Sequence, residues 1–150
     1  PKVWGTGMCY VNPVCDFGFG LELCQRLDLP DTDKFIGIDH IGIPVADMAE
    51  SLAFYKALGF AVASDVNILR AADGAIIHNV MAAGYGTVLE LYEFALPSHK
   101  PIQNGAFAAL RFRAESAQEV AMLQAKGAKF MGPGLWSLTA PGGERLEFFA

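Results

Sequence analysis

Cysteine is absent after residue 24: Cys9, Cys15 and Cys24 are the three in a chain of 150 residues. The count is odd and no Cys-x2-Cys spacing occurs, which argues against a closed disulfide framework and a thiolate zinc site and for reduced thiols in a cytoplasmic protein. Charge is also scarce. Asp, Glu, Lys and Arg make up 18% of the chain against 53% hydrophobic residues, where soluble domains usually carry roughly 25% charged, so a filled interior or a buried interface is expected and disorder is not. No apolar run reaches the ~18 residues of a membrane span, because glycine, proline or charge interrupts each one. No membrane partner follows. The sequence lacks a run of basic residues, and 11 Lys and Arg against 16 Asp and Glu leave a net charge of -5, which makes nucleic acid an unexpected partner. A basic segment followed by an apolar stretch, the mark of a secretory signal, is missing from the first residues.

What the chain does contain is an internal repeat, offset by 68 residues. Leu21-Glu22-Leu23 recurs as Leu89-Glu90-Leu91, Gly37 as Gly105, and Gly59 as Gly127. These positions bracket two similar patterns of strand, helix and further strands. In the first, residues 35–45 form a β-rich run with Pro44 suited to its end. Asp47 is placed to cap a helix, with Glu50 at the capping-box position. Met48, Leu52, Tyr55 and Leu58 make its apolar stripe, and Gly59 supplies the stop. Strands are expected over 61–70, 75–83 and 87–94. The second pattern repeats this with a strand at 106–113, Ser116 and Glu119 as cap and box, a helix to Lys126, then Gly127 and shorter strands ending at 145–149 after Pro141-Gly142-Gly143. Its tail is compressed, with Glu90 and Glu147 separated by 57 residues. The expected fold is α+β: two βαβββ modules, 36–94 and 105–150. Residues 1–35 add a strand-like segment. Glu22 matches Glu90 in register, so residues 1–26 read either as the end of a preceding module of a larger duplicated protein or as an extension covering a sheet edge.

Strand alternation selects the polar side chains that matter. His40 shares a face with Ile36 and Ile38, Glu90 with Val88, Tyr92 and Phe94, and Glu147 with Phe149, while Leu146 and Phe148 take the other side. Carboxylates on apolar strands need a hydrogen-bond partner, a raised pKa or a metal; a structural histidine and edge carboxylates are the plain alternative. His78 and His99 are further imidazoles, the first in a strand and the second in the 95–104 linker. Asp39 points away from His40. Gly18 and Gly20 lack a phosphate-loop pattern and read as a turn.

The stretch Ile38-Asp39-His40-Ile41-Gly42-Ile43-Pro44-Val45, continuing through Asp47-Met48 and Ser51-Leu52-Ala53-Phe54-Tyr55 to Leu58-Gly59-Phe60, resembles the opening module of the vicinal oxygen chelate superfamily, as do Val88-Leu89-Glu90-Leu91 and Ala140-Pro141-Gly142-Gly143-Glu144-Arg145-Leu146-Glu147-Phe148. That superfamily includes glyoxalase I, methylmalonyl-CoA epimerase, extradiol dioxygenases and fosfomycin- and bleomycin-resistance proteins. The resemblance covers residues 36–150 and implies that the paired modules form a cupped mixed β-sheet. It implies a divalent metal, with His40, Glu90 and Glu147 as ligands and Ala108 at the fourth position, where a methyl group cannot coordinate. One imidazole and two carboxylates would suit Mg, Mn, Fe, Ni or Zn. It also implies a metal-dependent lyase or isomerase acting on a small carbonyl or oxygenated substrate, with Glu90 or Glu147 moving a proton. The alternative is a metal-free small-molecule binder of the antibiotic-sequestering kind, with Tyr55, Phe94, Trp136 and Phe149 lining an apolar cleft. A ring-cleaving dioxygenase is the weakest fit, since it needs a second histidine. Open sheet edges and the apolar residues 3–24 lead to the expectation of a homodimer.

Overall fold

A computed structural model describes residues 6–11, 21–26, 37–70, 74–95 and 109–150. The turn expected at Gly18 and Gly20, most of the linker with His99, and Ala108 lie outside them. The chain divides into two compact units, the first ending at Asp39 and the second being His40–Ala150. In the first unit β1 (Thr6–Val11) and β2 (Leu21–Arg26) pair antiparallel, with Tyr10 opposite Glu22.

The second unit contains the two βαβββ modules. The first consists of β3 (Ile41–Pro44), α1 (Met48–Ala57), β4 (Ala61–Arg70), β5 (Ala75–Gly84) and β6 (Thr87–Phe94), arranged β3-β6-β5-β4 with β3 parallel to β6 and the rest antiparallel. The second consists of β7 (Leu110–Arg113), α2 (Ala117–Ala125), β8 (Lys129–Gly132), β9 (Leu135–Thr139) and β10 (Arg145–Phe149), in the same order β7-β10-β9-β8. Both helix starts form as the sequence dictates: Asp47 Oδ1 accepts from the Glu50 amide at 2.9 Å and Ser116 Oγ from the Glu119 amide at 3.2 Å. Each side chain satisfies an amide that the first helical turn leaves without an intrahelical partner. Strand β3 is shorter than the 35–45 run: it begins at Ile41, and residues 37–40 lead into it as irregular backbone. Pro44, which has no N–H, closes it, and the next amide, that of Val45, donates to Tyr92 O at 2.9 Å.

The register refines the repeat. Gly42 lies opposite Glu90 and Arg111 opposite Glu147, so the first strands are offset by 69 residues, whereas the helix-ending glycines Gly59 and Gly127 keep 68. Helix α1 has 10 residues and α2 has 9, which accounts for the lost residue. His40 therefore has Ala109 as its counterpart.

Both modules bury the helix-bearing side of their sheets in one cluster. Ile43, Leu89, Leu91 and Val80 meet Tyr55 and Leu58 in the first module; Phe112, Leu146 and Phe148 meet Leu123 in the second. Aromatic rings cross between them, with Phe60 and Phe112 centroids 5.7 Å apart and Tyr85 and Phe148 5.3 Å apart. Tyr85 lies in the two-residue turn Tyr85-Gly86 between β5 and β6, where both residues have positive φ, 51° and 70°, the handedness a tight hairpin requires. A tyrosine in this conformation is held from outside the turn: its hydroxyl donates to Leu58 O at 2.6 Å. Replacing Tyr85 by Phe keeps the ring contacts and removes that bond, so we expect a loss of about 1 kcal/mol in urea unfolding.

Candidate functional site

Residues alternating with the core positions face the other side of each sheet. On the first module this face carries His40, Gly42 and Glu90. His40 Nε2 lies 3.4 Å from Glu90 Oε2, with side-chain exposures of 13% and 25%. Asn79, buried on the neighbouring strand, donates through Nδ2 to Glu90 Oε1 at 2.5 Å. Each carboxylate oxygen thus has its own neighbour. Gly42 makes room for this arrangement: a Cβ there would stand 3.3 Å from the Tyr92 ring and 3.5 Å from Glu90 Oε2, so the close approach of backbone to carboxylate suits glycine. Burial pushes the Glu90 carboxyl up, but the hydrogen bonds from His40 and Asn79 and the nearby imidazole charge outweigh it and hold the group below its ordinary value of 4.5. Glu90 is an anion at neutral pH. Tyr92 is pushed up by burial and by the Glu90 charge, and it packs edge-on against Phe94 at 5.8 Å.

The equivalent face of the second module is built differently. Glu147 is 3% exposed. Arg111 Nε donates to its Oε2 at 2.6 Å, and Arg145 Nη2 meets its Oε1 at 2.5 Å. The Arg111 hydrogen bond, helped by both guanidinium charges, outweighs desolvation and holds the carboxyl below its ordinary value. By register Arg111 occupies the position of Gly42 and Ala109 that of His40.

Of the expected ligands, the structure brings His40 and Glu90 together, while Glu147 has arginines as its partners. Among the described residues no group of three or more His, Cys, Asp and Glu is assembled. The donors do not fit the four-ligand set: two are adjacent, a third has each oxygen engaged by a cation, and the counterpart of His40 is alanine. His78 does not join them. Its Nε2 lies 2.8 Å from Asp65 Oδ1 and its Nδ1 3.9 Å from Glu93 Oε2, on the side of the sheet that carries Val80 and Leu91.

The four aromatic residues expected to line one cleft separate. Tyr55 is in the core at 1% exposure, against Phe54 and Phe60, because its place on the apolar stripe of α1 points it at the sheet. Trp136 pairs with Phe148 in the ladder and packs on Phe130 at 6.0 Å, so it belongs to the core-side row. Phe94 is on the Glu90 face and Phe149, 43% exposed, on the Glu147 face. An open cleft of about 430 Å³ lies at the start of α2, bordered by Arg113, Ser116 and Ala150. The sequence reading missed Asn79, Arg111 and Arg145. Asn79, between His78 and Val80 in β5, belongs to no recognisable motif, whereas Arg111-Phe112-Arg113 and Arg145-Leu146-Glu147 show polar alternation that marks one face.

A family model described as the Glyoxalase/Bleomycin resistance protein/Dioxygenase superfamily matches residues 37–148. The chain belongs to this superfamily. Solved structures with the same fold include a glyoxalase family protein from Bacillus cereus, at TM-score 0.59 and 15% identity over 80% of this chain and 97% of that one. A glyoxalase family protein from Enterococcus faecalis gives TM-score 0.54 and 22% identity, covering 77% and 98%. The fosfomycin resistance protein FosX from Listeria monocytogenes, solved with Mn(II) and sulfate, gives 0.53 and 15%, covering 78% and 93%. No curated protein matches the chain significantly.

Proposed function

We propose that this chain binds a small molecule without a resident metal ion. The observation that carries this reading is Glu147, whose two carboxylate oxygens are each occupied by an arginine. A divalent ion would have to displace both guanidiniums and then find its fourth protein donor at an alanine. The Glu90 face supports the binding role with one anionic carboxylate, one imidazole and the Tyr92 and Phe94 rings, a mix of few polar groups and aromatic surface typical of small-molecule sites. Exposed Leu69, Ile76, Phe130 and Met131 support a homodimer as part of the same reading, in a cytoplasmic setting.

The competing reading is a metal-dependent lyase or isomerase with Glu90 as the proton-transferring group. The adjacency of His40 and Glu90 favours it. One experiment separates the two: elemental analysis of protein equilibrated with buffered Mn, Ni, Zn, Fe and Mg and then freed of loose ions. We expect occupancy well below one ion per chain, and no difference between wild type and His40→Ala. Stoichiometric metal that disappears in His40→Ala would establish the metal-dependent reading.

A further inference from the structure

The outward face of the second module concentrates positive charge in a chain whose net charge is -5. Cross-strand partners share a face, and the ladder makes one row across all four strands: Arg111 beside Glu147, Glu147 beside Ser137, Ser137 beside Lys129. Flanking rows add Arg113 beside Phe149 and Arg145 beside Thr139. Four cations therefore stand around one carboxylate, and that carboxylate is buried while the four cationic residues are exposed. Strands are about 4.8 Å apart, so Arg111 and Lys129 bracket a width of roughly 14 Å, the scale of a small molecule.

A single guanidinium would suffice to neutralise Glu147. Two are present, one on each oxygen, and the arrangement fixes them side by side with N–H groups to spare. Arg111 engages Glu147 through Nε and Arg145 through Nη2, and each guanidinium carries five N–H donors, more than one such contact uses. The three side chains together carry a surplus positive charge, and planar guanidinium forks match the geometry of carboxylate, phosphate and phosphonate groups. Ser137 and Thr139 lie in the same rows with hydroxyl groups able to donate. Phe149, on the same strand and face as Glu147 and 43% exposed, offers apolar surface next to the cations.

We propose that this face is an oxyanion-binding site, taking a small molecule with one compact oxyanion group held by Arg111 and Arg145 and an apolar body resting on Phe149. Glu147 acts there as a positioning residue that orders the two arginines. The site goes beyond the binding role proposed above by naming the charge of a ligand. It rests on the same Glu147–arginine contacts that carry the metal-free reading, but on a different sheet from His40 and Glu90, so an ion held by those two residues alone would leave it standing.

The test is a two-dimensional amide NMR titration of the full chain with phenylphosphonate, benzoate, inorganic phosphate and neutral benzyl alcohol. Expected are saturable shifts confined to 109–113, 135–139 and 145–150, tighter binding of phenylphosphonate than of phosphate, no saturation with benzyl alcohol, and weakening by added salt. Comparing phenylphosphonate with benzoate distinguishes a phosphorus oxyanion from a carboxylate as the preferred group. Arg145→Gln and Lys129→Gln alter exposed residues, and Arg145→Gln should weaken phenylphosphonate binding about ten-fold. The paired change R111M/E147M, which leaves no buried charge alone, should abolish it. Shifts that never saturate, that map to other strands, or that survive both Arg145→Gln and R111M/E147M would overturn the proposal. So would binding of a single-stranded oligonucleotide by a chain that ignores phenylphosphonate.

Discussion

Phe148→Ala is expected to cost about 3–5 kcal/mol of folding stability, read as a lower urea midpoint with an unchanged slope. The side chain is fully buried, and its ring meets Phe112 at 5.4 Å and Tyr85 at 5.3 Å. Truncation removes apolar surface from both modules at once. The cavity has little room to collapse, because one wall is the ladder through Leu146 and another is the Tyr85 turn tied to Leu58. A loss below ~1 kcal/mol would mean that the two modules do not share this core.

Asn79→Asp should produce the next largest effect, about 2–4 kcal/mol at pH 7, since it replaces a donor to Glu90 by a second carboxylate within hydrogen-bond distance. The pH dependence changes sign. In the wild type the Glu90 carboxyl is held below 4.5, so its contribution is fully present above that value and is lost as pH falls through the lower folded-state value. In Asn79→Asp the two carboxylates raise each other's affinity for a proton, and one proton shared between them restores a hydrogen bond. Stability of the variant relative to wild type should therefore recover as pH falls from 7 toward 4. Urea unfolding at both ends of that range checks it; a deficit that stays constant with pH would show that Asn79 acts through packing alone.

The modules were legible in the sequence because each level of pattern agreed: cap residues, helix stripe and stop glycines sit where the structure uses them, and Asp47, Ser116, Gly59 and Gly127 perform their expected tasks. The offset was less legible, since a one-residue difference in helix length moves the first strand from 68 to 69 without disturbing any helix signal. Of the site, His40 and Glu90 were found by strand alternation and by resemblance, and they do meet. The partners of Glu147 were not visible, because strand pairing sets them. Arg111 is 36 residues away and only the parallel ladder between β7 and β10 places it alongside. The basic face escaped notice for the same reason: Arg111, Arg113, Lys129 and Arg145 form no run along the chain and become neighbours only across strands. Tyr55 shows the opposite error, an aromatic residue credited with ligand contact whose helical spacing already assigned it to the core.

The shared aromatic cluster also limits how a duplicated chain can change. Phe60 and Tyr85 from one half must fit Phe112 and Phe148 from the other, so any alteration in one copy's inner surface has to be matched by its twin. The outward surfaces carry no such mutual obligation. Divergence is channelled to them, and the pair Gly42 and Arg111 records the result: equivalent places on one repeated scaffold, where one half leaves space for an imidazole and a carboxylate and the other half fills it with a cation.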